Sequence, residues 1–294
     1  MKLLVTVLAV QVVLGLTLIA LVATDNLPFT DGEADGAATA PRTAVDRFDG
    51  AAAWDLLVEQ VELGPRPAGS EPSRRLAARL RELVPNGRYQ PVPDGLRNVV
   101  GTVRGRERGY IVVGAHYDTK DLPGFVGAND GASGTAVVAE LARTIKNPRH
   151  TIRFVFFDGE ESPRGASDAA FEKLGLRGSK VAARRFRDAR AMVLLDFVGD
   201  RRLRIPHEAN SSPGLWRRLR AAAKRVGARR VFPNVTEGAV SDDHVPFLRQ
   251  GVPSIDLIDF NFPCWHRTCD DLDVVSERSL DAVGETVLEL VRKL

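Results

Sequence analysis

Acidic and histidine residues that could bind a metal ion follow three apolar runs of the chain. His116 and Asp118 follow one apolar run, Glu160 and Glu161 follow a second, and Asp196 follows a third. When a histidine and an aspartate are two positions apart, one can bind the ion while the other fixes the imidazole tautomer. Of two adjacent glutamates, one can bind the ion while its neighbour acts as a general base or acid. These residue types form a ligand set suited to Zn²⁺ or a related divalent ion.

Two further segments carry candidate ligands. Asp130 lies in the glycine-rich segment 127–134, whose glycines permit left-handed turns and let the backbone approach an ion closely. His266 lies late in the chain, directly after Trp265. Each motif alone is typical of a surface turn or a helix cap, so the prediction of one site rests on their joint placement.

Apolar runs predict five strands, several of them apolar on both faces, as in the middle of a sheet that helices cover on both sides. The predicted strands are 98–103, 110–114, 151–157, 191–197 and 254–258, and the predicted helices include 134–145, 213–226 and 277–294. Ser276 is a plausible N-cap for the last helix. The sequence therefore predicts a single α/β domain with a mixed, mostly parallel central sheet. Because the carboxyl ends of strands line the ligand crevice in such sheets, we expect the candidate ligands to converge.

The N-terminal part of the chain has a different composition. Residues 1–23 form an apolar segment long enough to cross a bilayer as a helix, with a cleaved signal peptide as the alternative. Residues 24–50 are rich in Asp, Gly, Ala, Thr and Pro, which predicts a flexible linker. We therefore expect a folded domain at 51–294 outside the cytoplasm, either anchored to the membrane through the N-terminal segment or secreted.

The charge of the chain does not indicate a nucleic-acid-binding protein. The chain has 41 basic and 38 acidic residues, for a net charge of +3, and only 6% of its residues are aromatic. Its arginine clusters lie in helical patterns beside apolar residues, as on solvated helix faces. Acids gathered at one site suit a metal ion and would repel nucleic acid. We expect no nucleic-acid partner and a monomeric protein.

The motifs resemble those of the zinc aminopeptidase family M28. The resemblance rests on the segments 114–118 (GAHYD), 127–134 (GANDGASG), 157–161 (FDGEE) and 195–196 (LD). The last third is similar in particular to the glutaminyl-peptide cyclotransferase branch, through the segments 242–248 (DDHVPFL), 251–253 (GVP) and 262–266 (FPCWH). The resemblance covers most of residues 51–294, in order.

The resemblance implies a zinc ligand set. Asp130, Glu161 and His266 would bind the zinc ion that both branches share. His116 and Asp196 would complete a two-zinc site in an aminopeptidase, with Asp130 bridging the ions. Cyclases keep the matching residues but hold only one zinc. The resemblance thus implies one zinc ion, with a second possible.

The resemblance also implies residues that act on a substrate. Glu160 would be the general acid and base, and Asp242 would help bind the reacting amide. Trp265 and Phe262 would wall the substrate pocket. Asp256, a candidate substrate-binding residue, stands where animal cyclases have a histidine; bacterial members of the branch resemble this chain in having an acid there.

Three functions stay open at the level of sequence, each with the free N-terminus of a peptide as partner. A cyclase would convert N-terminal glutamine to pyroglutamate with release of ammonia. An aminopeptidase would hydrolyse N-terminal residues with one or two zinc ions. A non-catalytic peptide-binding module is the least favoured, because such a module would not need the full ligand set together with Glu160.

The two cysteines of the chain, Cys264 and Cys269, flank His266. In an exported protein they predict a disulfide that stiffens the segment carrying this histidine. A metal-binding role is the less favoured alternative, because the chain has no partner cysteines elsewhere.

Overall fold

The computed structural model describes residues 39–294. The predicted apolar segment 1–23 and the first part of the predicted linker lie outside these residues. Within the described part of the chain, no helix is both long enough and apolar enough to span a membrane.

A mixed sheet forms the centre of the described domain. Its strands are ordered β1-β2-β4-β3-β5-β8, with β1 antiparallel to β2, β2 antiparallel to β4, and the last four strands parallel. The strands are β1 (Arg88–Pro91), β2 (Arg97–Val103), β3 (Glu107–His116), β4 (His150–Phe157), β5 (Met192–Asp196) and β8 (Ser254–Ile258). A separate short parallel pair joins β6 (His207–Glu208) to β7 (Thr236–Glu237). The prediction of a mixed, mostly parallel sheet is confirmed.

Helices cover the sheet on both faces, as the two-sided apolar strands predict. Along β3, Ile111 and Val113 pack into one core and Val112 packs into a second core on the opposite face. The helices are α1 (Gly50–Glu62), α2 (Glu71–Leu83), α3 (Gly134–Thr144), α4 (Phe171–Leu174), α5 (Arg177–Arg185), α6 (Pro213–Val226), α7 (His244–Arg249) and α8 (Glu277–Lys293). Helices α1, α2, α3, α6 and α8 contribute to the first core, and α5 and α7 contribute to the second.

Local signals explain where several helices begin. Helix α8 begins after Ser276, whose hydroxyl oxygen accepts the backbone N–H of Ser279, so the predicted N-cap is confirmed. Helix α6 begins at Pro213, which has no N–H to leave unpaired in the first turn. The bounds of α6 are those predicted, and α3 ends one residue earlier than predicted.

Residues 39–49, which fall within the predicted linker, pack against the domain. The Phe48 ring is buried against Gly284 of α8. The Arg47 guanidinium pairs with the carboxylates of Glu285 and Glu289 on the same helix. Within the described residues the domain thus includes residues 39–49, which are attached to α8 by side chains such as Phe48 and Arg47.

Candidate metal centre and active site

The sheet brings the predicted ligands to one edge. His116 is the last residue of β3 and Asp196 is the last residue of β5. Glu161 lies in the loop that follows β4, and His266 lies in the loop that follows β8. Asp130 lies in the irregular turn Ala128–Ser133 that leads into α3. Because β3, β4, β5 and β8 are parallel, all these segments emerge at the carboxyl edge of the sheet, as predicted.

One set of ligand atoms forms what we call the deep half, made of His116, Asp130 and Asp196. Nε2 of His116 lies 3.2 Å from Oδ1 of Asp196 and 3.4 Å from Oδ1 of Asp130. His116 is 1% exposed and Asp196 is 5% exposed. Burial is the main cause that raises the pKa of Asp196 to about 7, because the charged form loses its contact with water.

Asp118 orients His116 in a way that the sequence did not predict. The backbone carbonyl of Asp118, rather than its carboxylate, accepts a hydrogen bond from Nδ1–H of His116 at 3.0 Å. The Asp118 carboxylate instead accepts the N–H groups of Gly159, Glu160 and Glu161. Asp118 thus fixes the tautomer that leaves Nε2 free for an ion, and it also shapes the loop that carries the two glutamates.

The second set of ligand atoms forms the open half, made of Asp130, Glu161 and His266. Nε2 of His266 lies 3.1 Å from Oε1 of Glu161 and 3.6 Å from Oδ2 of Asp130. The side chain of His266 is 21% exposed, and its ring stacks on Trp265 with centroids 4.4 Å apart. Burial alone would raise the pKa of Glu161, but the hydrogen bond and charge of His266 hold it below its ordinary value.

The loop that carries His266 is constrained. Cys264 and Cys269 form a disulfide with Cα atoms 5.5 Å apart, so the predicted bridge is confirmed. His266 itself has φ of +52°, which is uncommon for a residue with a side chain. Such backbone strain persists only where the surroundings enforce it, and here the bridge spans the strained residue.

Asp130, the ligand that both halves share, is held by its backbone. The carboxylate of Asp270 accepts the N–H groups of Asn129 and Asp130 at 2.7 and 3.0 Å. The next residue, Gly131, has φ of +92°, and a Cβ there would lie 2.8 Å from the Asp118 carbonyl oxygen. Only glycine fits this turn, which aims the Asp130 side chain between the two halves.

The two halves fit a divalent metal ion. In each half, one ligand atom per residue lies within 4.8 Å of the others. Oδ2 of Asp130 is buried and has no hydrogen-bond partner among the described residues. Burying a carboxylate oxygen without a partner is costly, so its position points to a cation that the protein itself does not provide. Two imidazoles and three carboxylates are ligands that suit zinc.

Glu160 lies beside the centre without joining either half. It lines the same cavity as Glu161 and is 7% exposed. Burial and then the neighbouring Glu161 carboxylate raise the pKa of Glu160 well above its ordinary value. A carboxyl group that holds a proton more firmly than usual can act as a general acid and base.

A cavity of about 490 Å³ opens onto the open half and Glu160. Trp265, one of its wall residues, is 41% exposed, as expected for a residue that could meet a substrate. Phe262 does not line the cavity as predicted; it packs under Phe197 with ring centroids 5.9 Å apart, and Phe260 lines the wall instead. The prediction for Phe262 is wrong because this ring fills the space behind the wall.

A second buried cluster lies next to the cavity. Asp242 lines the cavity, and its Oδ2 has no hydrogen-bond partner among the described residues. Asp256 is fully buried and absent from the cavity wall, so its predicted direct contact with a substrate is not supported by its position. Nδ1 of His244 faces Asp256 at 3.6 Å, and Nε2 faces Glu208 at 3.2 Å. Asp256 thus lies behind the pocket, within a network that includes Asp242.

Three charged residues that contact the site or the cluster beside it were missed from the sequence. Lys120 binds Glu161, Asp270 holds the Asp130 turn, and Glu208 holds His244. Lys120 lies two residues after Asp118, so its place beside the site could have been predicted from the sequence. Asp270 and Glu208 reach the site through the tertiary fold, and no local pattern marks them.

A doubly covered sheet with carboxylates and imidazoles at the carboxyl ends of its parallel strands defines a metal-dependent α/β enzyme. The profile of peptidase family M28 matches residues 98–291. The chain therefore belongs to peptidase family M28.

Relatives within the family fall into two groups. The glutaminyl-peptide cyclotransferase of Bos taurus is 30% identical over 236 residues, covering 66% of this chain and 65% of that protein. The chain thus spans about 65% of the length of such curated relatives. The crystal structure of Porphyromonas gingivalis glutaminyl cyclase matches with a TM-score of 0.74 and 30% identity, covering 85% of this chain and 99% of that one. A Zn-dependent exopeptidase from Parabacteroides distasonis matches with a TM-score of 0.75 and 26% identity, covering 85% and 100%.

Proposed function

We propose that this protein is a zinc-dependent glutaminyl cyclase, which converts the N-terminal glutamine of peptides to pyroglutamate and releases ammonia. The observation that carries the proposal is the open half itself, with Glu160 beside it in a cavity of about 490 Å³. The similarity to cyclases from Bos taurus and Porphyromonas gingivalis supports the same conclusion.

In this proposal Asp130, Glu161 and His266 hold the zinc ion. Bound there, zinc supplies a Lewis acid for the γ-carbonyl group of the substrate glutamine. In this proposal the reacting group lies beside His266 and the stacked Trp265, which both line the cavity. His116 and Asp196 hold no ion in this proposal and lie beside the shared ligand Asp130, with Nε2 of His116 3.4 Å from Oδ1 of Asp130.

Glu160 moves the proton. It takes a proton from the α-amino nitrogen as this nitrogen forms a bond to the γ-carbonyl carbon, and it returns that proton to the amide nitrogen that leaves as ammonia. The raised pKa of Glu160, caused first by burial and then by Glu161, suits a group that must hold the proton between the two steps. Asp242, whose Oδ2 is unpartnered at the cavity wall, accepts an N–H of the reacting amide.

The second candidate function is hydrolysis of N-terminal residues by an aminopeptidase. One observation favours it: the deep half completes a two-ion ligand set in which Asp130 is shared. The likeness to the Parabacteroides distasonis exopeptidase points the same way. In that reaction Glu160 would deliver water to the peptide carbonyl instead of taking a proton from the amine.

We further propose that the protein works outside the cytoplasm. The Cys264–Cys269 disulfide supports this, because disulfides persist in oxidising compartments. The apolar segment 1–23 supports export as an anchor or as a cleaved signal.

The products formed from two matched peptides test the proposed reaction. One peptide begins with glutamine and the other, otherwise identical, begins with leucine. A cyclase leaves both at full length and removes one ammonia from the first alone. Shortening of either peptide would instead establish the exopeptidase function. The Glu160→Gln variant, with its zinc content measured, should lose the activity while keeping the metal.

A further inference from the structure

The ammonium group of Lys120 binds one carboxylate oxygen of Glu161, a residue of the open half. Its Nζ lies 2.9 Å from Oε2 of Glu161 and 3.3 Å from Oγ of Ser162. Oε1 of Glu161 faces His266 on the other side of the carboxylate. Glu161 can therefore offer one oxygen to an ion while its second oxygen is held by an ammonium group.

The ammonium group of Lys120 is positioned to stay charged. Its side chain is 16% exposed and lines the cavity beside Glu161. Its nitrogen pairs with the Glu161 carboxylate at 2.9 Å, so the ammonium charge has an opposite charge beside it. Lys120 therefore places a fixed positive charge in the first layer of residues around the centre.

This charge changes the electrostatic balance of the two halves. The ligands of the two halves include three carboxylates, on Asp130, Glu161 and Asp196, and two imidazoles that bind metal in the neutral form. Together, these five ligands and the positive charge of Lys120 have a net charge of two negative, which one divalent ion neutralises. A second divalent ion would leave the buried site with two positive charges, and like charges are costly where water is excluded.

We propose that Lys120 limits the metal centre to one divalent ion, held in the open half. Lys120 acts on the metal centre through Glu161, so it is a positioning residue. The limit on metal number rests only on the geometry and charges of the centre. Its consequence for the reaction, that a single ion favours cyclisation over two-ion hydrolysis, rests on the proposed function.

The number of zinc ions bound per chain tests the proposal. The full chain is stripped of metal with a chelator and titrated with zinc, with binding followed by calorimetry. The variants are Lys120→Met, Lys120→Gln and Lys120→Arg. As a matched control, Lys180→Met removes an ammonium group that binds the backbone carbonyls of α4 and of Gly175. The thermal unfolding of each variant reports whether it is folded.

We expect one zinc ion per chain in the native protein, in Lys120→Arg and in Lys180→Met. The Lys120→Met and Lys120→Gln variants should bind two, because the third carboxylate charge is no longer neutralised. Rescue by arginine would show that the positive charge, rather than the shape of the side chain, sets the number. Two ions in the native protein, or one ion in a folded Lys120→Met or Lys120→Gln variant, would overturn the proposal.

The product assay separates this proposal from the proposed function. If the native chain binds one zinc ion and the Lys120→Met and Lys120→Gln variants bind two, but the native chain shortens peptides, the role of Lys120 stands and the cyclase proposal fails. If the native chain forms pyroglutamate and the Lys120→Met and Lys120→Gln variants still bind one zinc ion, the cyclase proposal stands and the role of Lys120 fails.

Discussion

The two halves of the metal centre share Asp130 but differ in what surrounds them. In the deep half, His116 and Asp196 are buried, and a backbone carbonyl fixes the imidazole ring. In the open half, His266 is partly exposed, its ring stacks on Trp265, and Lys120 binds Glu161. All three residues of the open half line the cavity; of the deep half, Asp130 and Asp196 line it too, whereas protein atoms enclose His116.

In the proposed reaction, which needs one ion, the two halves would have different tasks. An ion in the open half would lie beside the cavity, where a catalytic zinc ion can meet a substrate. The deep half brings Nε2 of His116 to 3.4 Å from Oδ1 of Asp130, so it can position this shared ligand without an ion of its own. The same residue types would thus have a catalytic task in one half and a supporting task in the other.

The largest effect is expected on kcat, from replacing the acid and base that lies beside the open half. The Glu160→Gln variant should lower kcat by about 10²–10⁴-fold, the usual contribution of a positioned proton-transfer group. Zinc binding should not change, because Glu160 belongs to neither half. Steady-state kinetics with a glutamine peptide checks this, and a variant with near-native kcat would remove Glu160 from the mechanism.

The next largest effect should follow removal of the exposed ligand. The His266→Ala variant should weaken zinc binding by at least about 100-fold, since even groups that only support a ligand cost up to that much. Arg267→Ala, an exposed change in the same loop, serves as the control and should bind zinc normally. Unchanged zinc affinity in His266→Ala, measured by competition with a chelator, would refute the assigned open half.

A smaller effect is expected in the deep half. The Asp196→Asn variant should weaken zinc binding by no more than about tenfold, the low end for a residue that supports a ligand. The native chain and the variant should bind the same number of zinc ions in a calorimetric titration. Loss of one zinc equivalent in the variant would show that the deep half holds its own ion and would favour the aminopeptidase function.

The smallest effect should come from removing the disulfide that constrains the His266 loop of the open half. Replacing Cys264 and Cys269 together with serine should lower the free energy of unfolding by about 2 kcal/mol, as expected for so short a loop. Because the loop carries His266, the zinc affinity of the double variant should also fall. The positions of His116 and Asp196 should not change. Denaturant unfolding and zinc titration of the double variant check both parts, and native zinc affinity would mean that the bridge does not position His266.

The elements that position the centre could be predicted from the sequence because their signals are local. The apolar runs ending at His116 and Asp196 mark buried strands, and parallel strands bring their ends to one edge. The short edge strand β1 was not predicted, since Arg88–Pro91 has no apolar alternation. Residues 39–49 were assigned to a linker on composition, and their packing depends on two distant helices, α6 and α8.

Details of the site depended on contacts that no local pattern reveals. Phe260 and Phe262 are two residues apart and both pack against Phe197, but only Phe260 of the two lines the cavity. The sequence pointed to the side chain of Asp118 as the partner of His116, whereas the backbone carbonyl makes that bond. Backbone partners are the same for every residue type, so sequence patterns carry no sign of them.

The most direct test of the account is to titrate the metal-free chain with zinc while pyroglutamate formation from a glutamine peptide is followed. If the open half and Glu160 perform the reaction, activity should rise in proportion to zinc and reach its plateau at one equivalent per chain. Activity that appears only with the second equivalent, or a peptide that is shortened rather than cyclised, would contradict the account.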